Sequence, residues 1–374
     1  MNIGINLLPF RKNLTGTGIY ALNIVEELRF LDAENHYFLF CNREIAKLFE
    51  FKEKNFTKIV LPVRAQNSLK RILWEQLILP FDLRKFKIDV LFTPSVAVPV
   101  LSKCEHVVCI HDLIPFHTKG KYSWLRSEYI KQITRISAQK AAKVLTVSEN
   151  SKLEIQRYCQ IAAEKIYVTY NGFNKKLIVI DEYQWQEFKK AHRIPNHYIL
   201  FVGTLEPGKN IESLISAYGL LKRKYKFQHK LVIAGGKGWL FDSIFAQVSR
   251  LNLSEDVIFT NYVPEEILGA LYNHADLFVL PSLYEGFGIP ILEAMNFGVP
   301  VITSNVSAMP EVTGDAAVLV DPLNVEEIAE AMQAVLSDSA LKEKLSKKGI
   351  KRTANFTWEK AAKIVYDQLN ECGK

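Results

Sequence analysis

Short apolar runs that end in polar or glycine-rich residues recur along the chain, and stretches with helical spacing separate them. Residues 2 to 8 read as a buried strand, followed by a loop from Pro9 to Gly18 and a helix from about Ile19 to Leu31. YFLFC at 37–41 and KIVLPV at 58–63 read as the next strands. IDVLFTPS, HVVCIHDL and KVLTVSEN each pass from an apolar strand into polar residues. Near-continuous apolar strands alternating with helices predict an α/β fold, a parallel sheet covered by helices.

The alternation loosens after Asn171-Gly172, and residues 173–196 are mixed and polar. A second series then begins with HYILFVGT and a helix from about Asn210 to Lys222. HKLVIAGG, DVIFTNYV, DLFVLPS, PVITS and AAVLV continue it. This pattern predicts domains at 1–172 and 197–356 joined by a linker at 173–196. Strand-end loops in such domains face a ligand cleft. Residues 357–374 form a separate amphipathic helix, with Thr357 as its candidate cap and Trp358 and Tyr366 packing against a domain.

Length and composition narrow the class. A chain of 374 residues suits two cores rather than one, and 48% hydrophobic with 23% charged residues fits a folded protein. The formal charge of +7 is compatible with an anionic ligand, an anionic membrane surface or nucleic acid, and selects none of them. Cys41, Cys104, Cys109, Cys159 and Cys372 have no metal-ligand spacing, and their odd number suits a reducing compartment. No apolar run reaches the length of a membrane span, and MNIGINLLPF lacks the basic leader and apolar core of a signal peptide.

The chemistry concentrates in loops. Glu285 and Glu293 lie eight positions apart in PSLYEGFGIPILEAMNFGVPVITS. Gly286 and Gly288 can expose backbone N–H groups at a helix start, a natural anion site. Glu285 can accept from sugar hydroxyls, and Glu293, about two turns along the helix, from a ribose diol. Glu293 sits in the apolar setting ILEAM, where an unpaired carboxylate is costly. GTLEPGKN carries Lys209 near a helix start, either as a solvent lysine or as a point charge for a diphosphate. The loop from Leu14 to Gly18 is either a tight turn or an anion or sugar contact. It lacks the full dinucleotide fingerprint, and no acidic residue ends the second strand, which disfavours a nicotinamide cofactor. His111-Asp112 and His117 are too sparse to hold a metal.

Taken in order, these motifs resemble the retaining glycosyltransferases of family 4 over nearly the whole length. They are the glycines at 16–18, HDL at 111–113, VSENS at 147–151, NG at 171–172, GTLEPGKN at 203–210, IAGG at 233–236 and EGFGIPILEAM from 285. The resemblance implies the GT-B fold, two Rossmann-like domains facing a central cleft, with the acceptor on the N-terminal side and the nucleotide sugar on the C-terminal side. It implies that the helix at 357–374 packs back toward the N-terminal domain. By the same resemblance Glu285 contacts the transferred sugar, Glu293 holds the ribose and Lys209 the phosphates. His111 approaches the reacting carbon. Backbone around Gly16, Gly18, Gly203, Gly286, Phe287, Gly288 and Ile289 surrounds the diphosphate and sugar, and Val263 and Leu271 wall the base or ribose. One departure stands out: Gly208 occupies the place of the arginine in the family's EPRKN.

The implied reaction is retaining transfer of a hexose, most closely mannose from GDP-mannose, to a lipid-linked or polysaccharide acceptor in cell-envelope glycan synthesis. No cofactor or metal is implied beyond the donor substrate. A UDP-sugar-dependent glucosyl-, galactosyl- or N-acetylglucosaminyltransferase is the alternative, as is a nucleotide-sugar-binding protein without turnover. Synthesis of a soluble product and phosphorylase-like or epimerase-like chemistry are further enzyme alternatives. Residues 64–87 and 119–143 are basic and interleaved with Leu69, Leu73, Trp74, Leu77, Tyr122, Trp124 and Tyr129. They read either as ordinary half-packed helices or as a peripheral contact with the inner leaflet. A cytoplasmic location is implied, and nucleic acid is not an expected partner.

Overall fold

A computed structural model describes all residues except 13–15, 50, 52, 118–119, 121–122, 174–180 and 374. The chain forms two compact units, one of Met1–Asn171 with Thr357–Lys374 and one of Gly172–Phe356.

The first unit is built on a seven-stranded parallel sheet. Its strands are β1 (Asn2–Asn6), β2 (His36–Asn42), β3 (Phe56–Leu61), β4 (Val90–Thr93), β5 (Glu105–Cys109), β6 (Lys143–Thr146) and β7 (Ile166–Val168), in the order β3-β2-β1-β4-β5-β6-β7. Ile3, Ile5, Val90, Leu91, Phe92, Val107 and Val108 have no exposed surface, as strands covered on both faces require. Six of these strands fall where the apolar runs predict them. β7 has no such signal, because it is three residues long and two of them are only partly buried. Asn42, at the end of β2, donates to the carbonyls of Leu8 and Phe10 at 3.1 and 2.8 Å. The amide thus braces the loop after β1, where a dinucleotide-binding chain would carry an acid.

The first helix runs from Gly16 to Leu31, so Gly16, Thr17 and Gly18 form its first turn rather than the end of a loop. Leu14 and Thr15 lie outside the described residues. The helix Trp358–Cys372 belongs to this unit and packs on Gly16–Leu31. Thr357 caps it by accepting from the Lys360 amide at 3.2 Å.

The second unit carries a six-stranded parallel sheet. Its strands are β8 (Tyr198–Val202), β9 (Lys230–Ala234), β10 (Val257–Asn261), β11 (Leu277–Leu280), β12 (Val301–Ser304) and β13 (Val318–Val320), ordered β10-β9-β8-β11-β12-β13. The stretch 173–196, read from sequence as a linker, contains the helix Glu182–His192. Trp185 of that helix is buried and stacks on His274 at 5.1 Å, so this part of the stretch is packed structure. Residues 174–180 lie outside the described set. Both sheets have the doubly wound strand order, in which the chain reverses direction beside the first strand. Ligands of such sheets bind beyond the carboxyl ends at that reversal.

Candidate active site at the strand ends

In the second sheet the reversal falls between β8 and β11, and the two charged loops leave those strands. The β8 loop passes through a short turn, Pro207–Lys209, into the helix Ile211–Tyr225. Asn210 joins turn to helix and is only 9% exposed. Its amide donates to the Pro281 carbonyl at 3.0 Å and to the Pro322 carbonyl at 2.6 Å. The Leu283 amide donates to the Gly208 carbonyl at 2.9 Å. These bonds hold the β8 and β11 loops side by side. Gly235 follows β9 at φ +155°, and a Cβ there would stand 1.9 Å from the Gly203 carbonyl oxygen. Only glycine lets these two strand ends approach so closely.

The result is a contact between Lys209 and Glu285. The ammonium lies 2.5 Å from Glu285 Oε1, and both side chains are largely buried. Ser282 Oγ donates to the same carboxylate oxygen at 2.7 Å. Ser307 braces the backbone of Glu285, donating to its carbonyl at 2.6 Å and accepting from its amide at 3.3 Å. The loop then turns at Gly288, φ +101°, into the helix Ile289–Asn296. Glu293 therefore sits about one turn from the helix start, not two.

Glu293 is 7% exposed. Its Oε2 accepts from the Tyr272 hydroxyl at 2.8 Å, and the tyrosine is wholly buried. Burial raises the carboxyl to about 7, against the lowering effect of the Tyr272 bond, and Glu265 adds to the rise. A carboxylate kept this dry with one neutral partner is costly to the fold, which makes Glu293 a candidate functional group.

In the first unit, His111 follows β5. Its Nε2 lies 3.2 Å from the Pro94 carbonyl, at the end of β4. A carbonyl only accepts, so Nε2 carries the proton and Nδ1 is left as an acceptor. Burial pushes the imidazole down to about 4, against the opposing Pro94 bond, so the ring is neutral at pH 7. The Tyr20 ring meets it edge-on at 4.7 Å. Tyr20 is anchored by a 3.0 Å bond to Thr169 and by the Trp358 ring at 6.1 Å. His111, Asp112 and Thr17 line a cavity of 440 Å³ in this unit.

The remaining expected residues divide. Gly203, Gly286 and Ile289 keep some exposed surface beside the Lys209–Glu285 contact, and Gly16 is exposed at its helix start. Gly18 and Val263 are buried, and Phe287 packs edge-on against Phe356 at 5.7 Å. Leu271, expected as a pocket wall, has no exposed surface, and its carbonyl accepts from the Tyr198 hydroxyl at 2.7 Å. That is a core position. Asn210, Ser282, Ser307, Tyr272 and Tyr20 were not singled out from sequence. Only Asn210, beside Lys209 at a helix start, carries a local signal.

His197, His229 and Asp276 gather within 4.8 Å of one another at the opposite, amino ends of β8, β9 and β11. Lys342 already stands 3.7 Å from Asp276, making this a mixed-charge cluster. Among the described residues, no helix is long and apolar enough to cross a membrane.

Known proteins match this arrangement along its length. Residues 14–177 match the family model Glycosyltransferase Family 4, and residues 184–352 match Glycosyl transferases group 1. The chain is 32% identical over 374 residues to O-antigen chain mannosyltransferase B of Escherichia coli, covering 94% of each protein. Among solved structures it is similar to sucrose-phosphate synthase of Thermosynechococcus elongatus, with a TM-score of 0.81, 20% identity and 99% of each chain covered. It is also similar to Anabaena HepE in complex with UDP-glucose, with a TM-score of 0.78, 17% identity and 99% and 100% covered.

Proposed function

The chain belongs to the family 4 glycosyltransferases, and from that premise we propose that it moves a hexose from a nucleoside diphosphate to a hydroxyl of a glycan or lipid-linked acceptor, with retention. The observation that carries the reading is the meeting of Lys209 and Glu285 at the reversal point of the second sheet.

The bond between the anomeric carbon and the phosphate oxygen breaks, and its electron pair leaves on the diphosphate. Lys209 and the N–H groups at the start of the helix Ile289–Asn296 stabilise that charge as it develops, the principal catalytic demand. Glu285 holds a hydroxyl of the transferred sugar. Glu293 accepts from the ribose diol through Oε1, while Tyr272 occupies Oε2. The acceptor oxygen bonds to the anomeric carbon on the face the phosphate leaves, and its proton passes to the departing phosphate oxygen. His111, with Nε2–H committed to Pro94, accepts a sugar hydroxyl at Nδ1 rather than donating to one.

The name of the Escherichia coli relative, an O-antigen chain mannosyltransferase, supports mannose and a cell-envelope glycan, and GDP-mannose is the donor we propose for it. A UDP-hexose is the second reading, favoured by the likeness in fold to HepE with UDP-glucose bound. We place the reaction in the cytoplasm at the inner leaflet. Calorimetry with GDP-mannose, UDP-glucose, UDP-galactose and UDP-N-acetylglucosamine separates the two readings by which nucleotide binds. If none binds, the function proposed here is wrong. If one binds but neither hydrolysis nor transfer follows, the chain is a binding protein.

A further inference from the structure

The cavity beside His111 has a wall that sugar transfer alone does not explain. Its lining is largely apolar, with Leu69, Ile72, Val96, Phe116 and Ile130, yet Arg71 and Arg126 enter it. Arg71 is held in place. Its Nη1 donates to Glu75 Oε2 at 2.7 Å, and Glu75 is 1% exposed, its other oxygen accepting from Asn6 at 3.2 Å. A buried carboxylate of this kind contributes little net stability, but it fixes the position of its partner. The Arg71 side chain keeps 18% of its surface exposed where it borders the cavity, so the guanidinium is pinned without being sealed off.

The backbone here is unusual. Between the helices Ser68–Leu73 and Leu79–Lys85 the chain winds as a π-helical turn, Trp74–Ile78. Such turns concentrate at functional sites. This one carries Glu75 into the interior. It also shapes the outer face, where Leu69, Leu73, Leu77 and Phe81 recur every fourth residue and are 69%, 50%, 51% and 67% exposed. In an α-helix a four-residue step overshoots one turn by about 40°. The wider turn offsets part of that drift and keeps the four side chains in one stripe. Trp124 and Leu125, 74% and 73% exposed, open the helix that supplies Arg126 and Tyr129 to the same cavity. Lys70, Arg84 and Lys85 flank the stripe. An exposed apolar stripe with basic flanks complements an anionic bilayer surface, and a pinned guanidinium behind it complements a phosphate.

We propose that this cavity takes a hydrocarbon-linked phosphate, the lipid end of the acceptor, with Arg71 as the phosphate-recognising residue, Glu75 as its positioning residue and the Leu69–Phe81 stripe resting in the bilayer. The inference rests on the glycosyltransferase reading and names the acceptor class for it. The acceptor is engaged at its membrane anchor, so the sugar is added close to the lipid rather than at the far end of a long polymer.

The test is co-sedimentation of the full chain with phosphatidylcholine vesicles that are plain, doped with phosphatidylglycerol, or doped with hexadecyl phosphate. The wild type should bind hexadecyl phosphate vesicles at about tenfold lower lipid than phosphatidylglycerol vesicles, the scale of one charge-assisted bidentate contact. Arg71→Ala should erase that preference while keeping phosphatidylglycerol binding, and Glu75→Gln should reduce it. Leu73→Asp with Leu77→Asp should weaken binding to every vesicle. Donor calorimetry on each variant reports that it is folded. Equal binding to the two anionic vesicles, or a preference that survives Arg71→Ala, overturns the proposal. Donor binding without any vesicle binding sinks the lipid site and leaves the transferase reading standing. Loss of donor binding in the wild type sinks the transferase reading itself.

Discussion

Replacing Glu293 by glutamine should make the protein more stable and a weaker binder of its donor. In the unfolded chain the carboxyl releases its proton near its ordinary 4.5, whereas in the fold burial holds the proton to about 7. Between those values the folded state binds more protons than the unfolded one, so stability falls as pH rises through the window, and the loss is complete above pH 7. At about 1.4 kcal/mol per pH unit the window is worth roughly 3 kcal/mol. Glutamine escapes that cost and still accepts from Tyr272. Its amide N–H groups need a partner at a dry site, which returns about 1 kcal/mol. The net gain at pH 8 is therefore about 2 kcal/mol, or about 4–8 °C in the melting of a unit this size. At pH 4.5 the wild-type carboxyl is protonated, so the gain should vanish or change sign. Donor binding moves the other way, because a ribose diol donates better to a carboxylate than to an amide. Loss of that charge-assisted pair raises Kd by about 10- to 100-fold. Scanning calorimetry of both proteins at pH 4.5 and 8, with donor titrations at pH 8, tests both halves. A glutamine variant no more stable than wild type at pH 8 refutes the cost assigned to burial. Unchanged donor affinity refutes the ribose role.

His111→Ala should fold, because one neutral ring is removed beside Tyr20, yet lose most transfer; normal turnover would take His111 out of the catalytic set. With its imidazole at about 4, His111 should add no titration between pH 6 and 8, so any pH dependence of turnover there should follow Glu293, at about 7, and be lost in Glu293→Gln. Lys209→Ala should cost about 100- to 1000-fold in turnover, the scale of one preorganised donor to a developing anion. A loss confined to KM would make Lys209 a binding group only. Gly208→Arg should tighten donor binding by up to about tenfold, since a Cβ there would meet nothing nearer than Glu206 Oε1 at 4.0 Å and the guanidinium supplies a fork for phosphate. Weaker binding would show that the turn needs its glycine. Transfer should survive EDTA if, as proposed, Lys209 and the helix-start amides meet the phosphate charge, and abolition by EDTA would require a metal in that role.

The sheets were legible because parallel strands need apolar residues on both faces, which writes them into the chain as runs. β7 escaped for the converse reason, since only Ile166 of its three residues is buried. The first helix was placed three residues late because Gly16 and Gly18 are poor helix formers, and packing outweighed that local preference. The candidates Lys209 and Glu285 stand out in the sequence as charges beside glycine turns at strand ends, His111 as a ring residue just after an apolar run, and Glu293 as a charge inside an apolar one. What holds them in place is not local. Tyr272 is 21 residues from Glu293, Ser307 is 22 from Glu285, and Asn210 is 112 from Pro322. No spacing rule connects such pairs, and each exists only once the strands have been ordered.

The stripe from Leu69 to Phe81 makes the same point from the opposite side. Apolar residues every fourth position read equally as a packed face or an exposed one. What separates the two is a turn wider than an α-helix, and no residue in WEQLI announces it. Glu75 gives its physical reason: a carboxylate turned inward to meet Asn6 and Arg71 leaves Leu73 and Leu77 facing out. The buried acid, the pinned arginine and the exposed leucines are therefore one arrangement, and a substitution at Glu75 should disturb all three together.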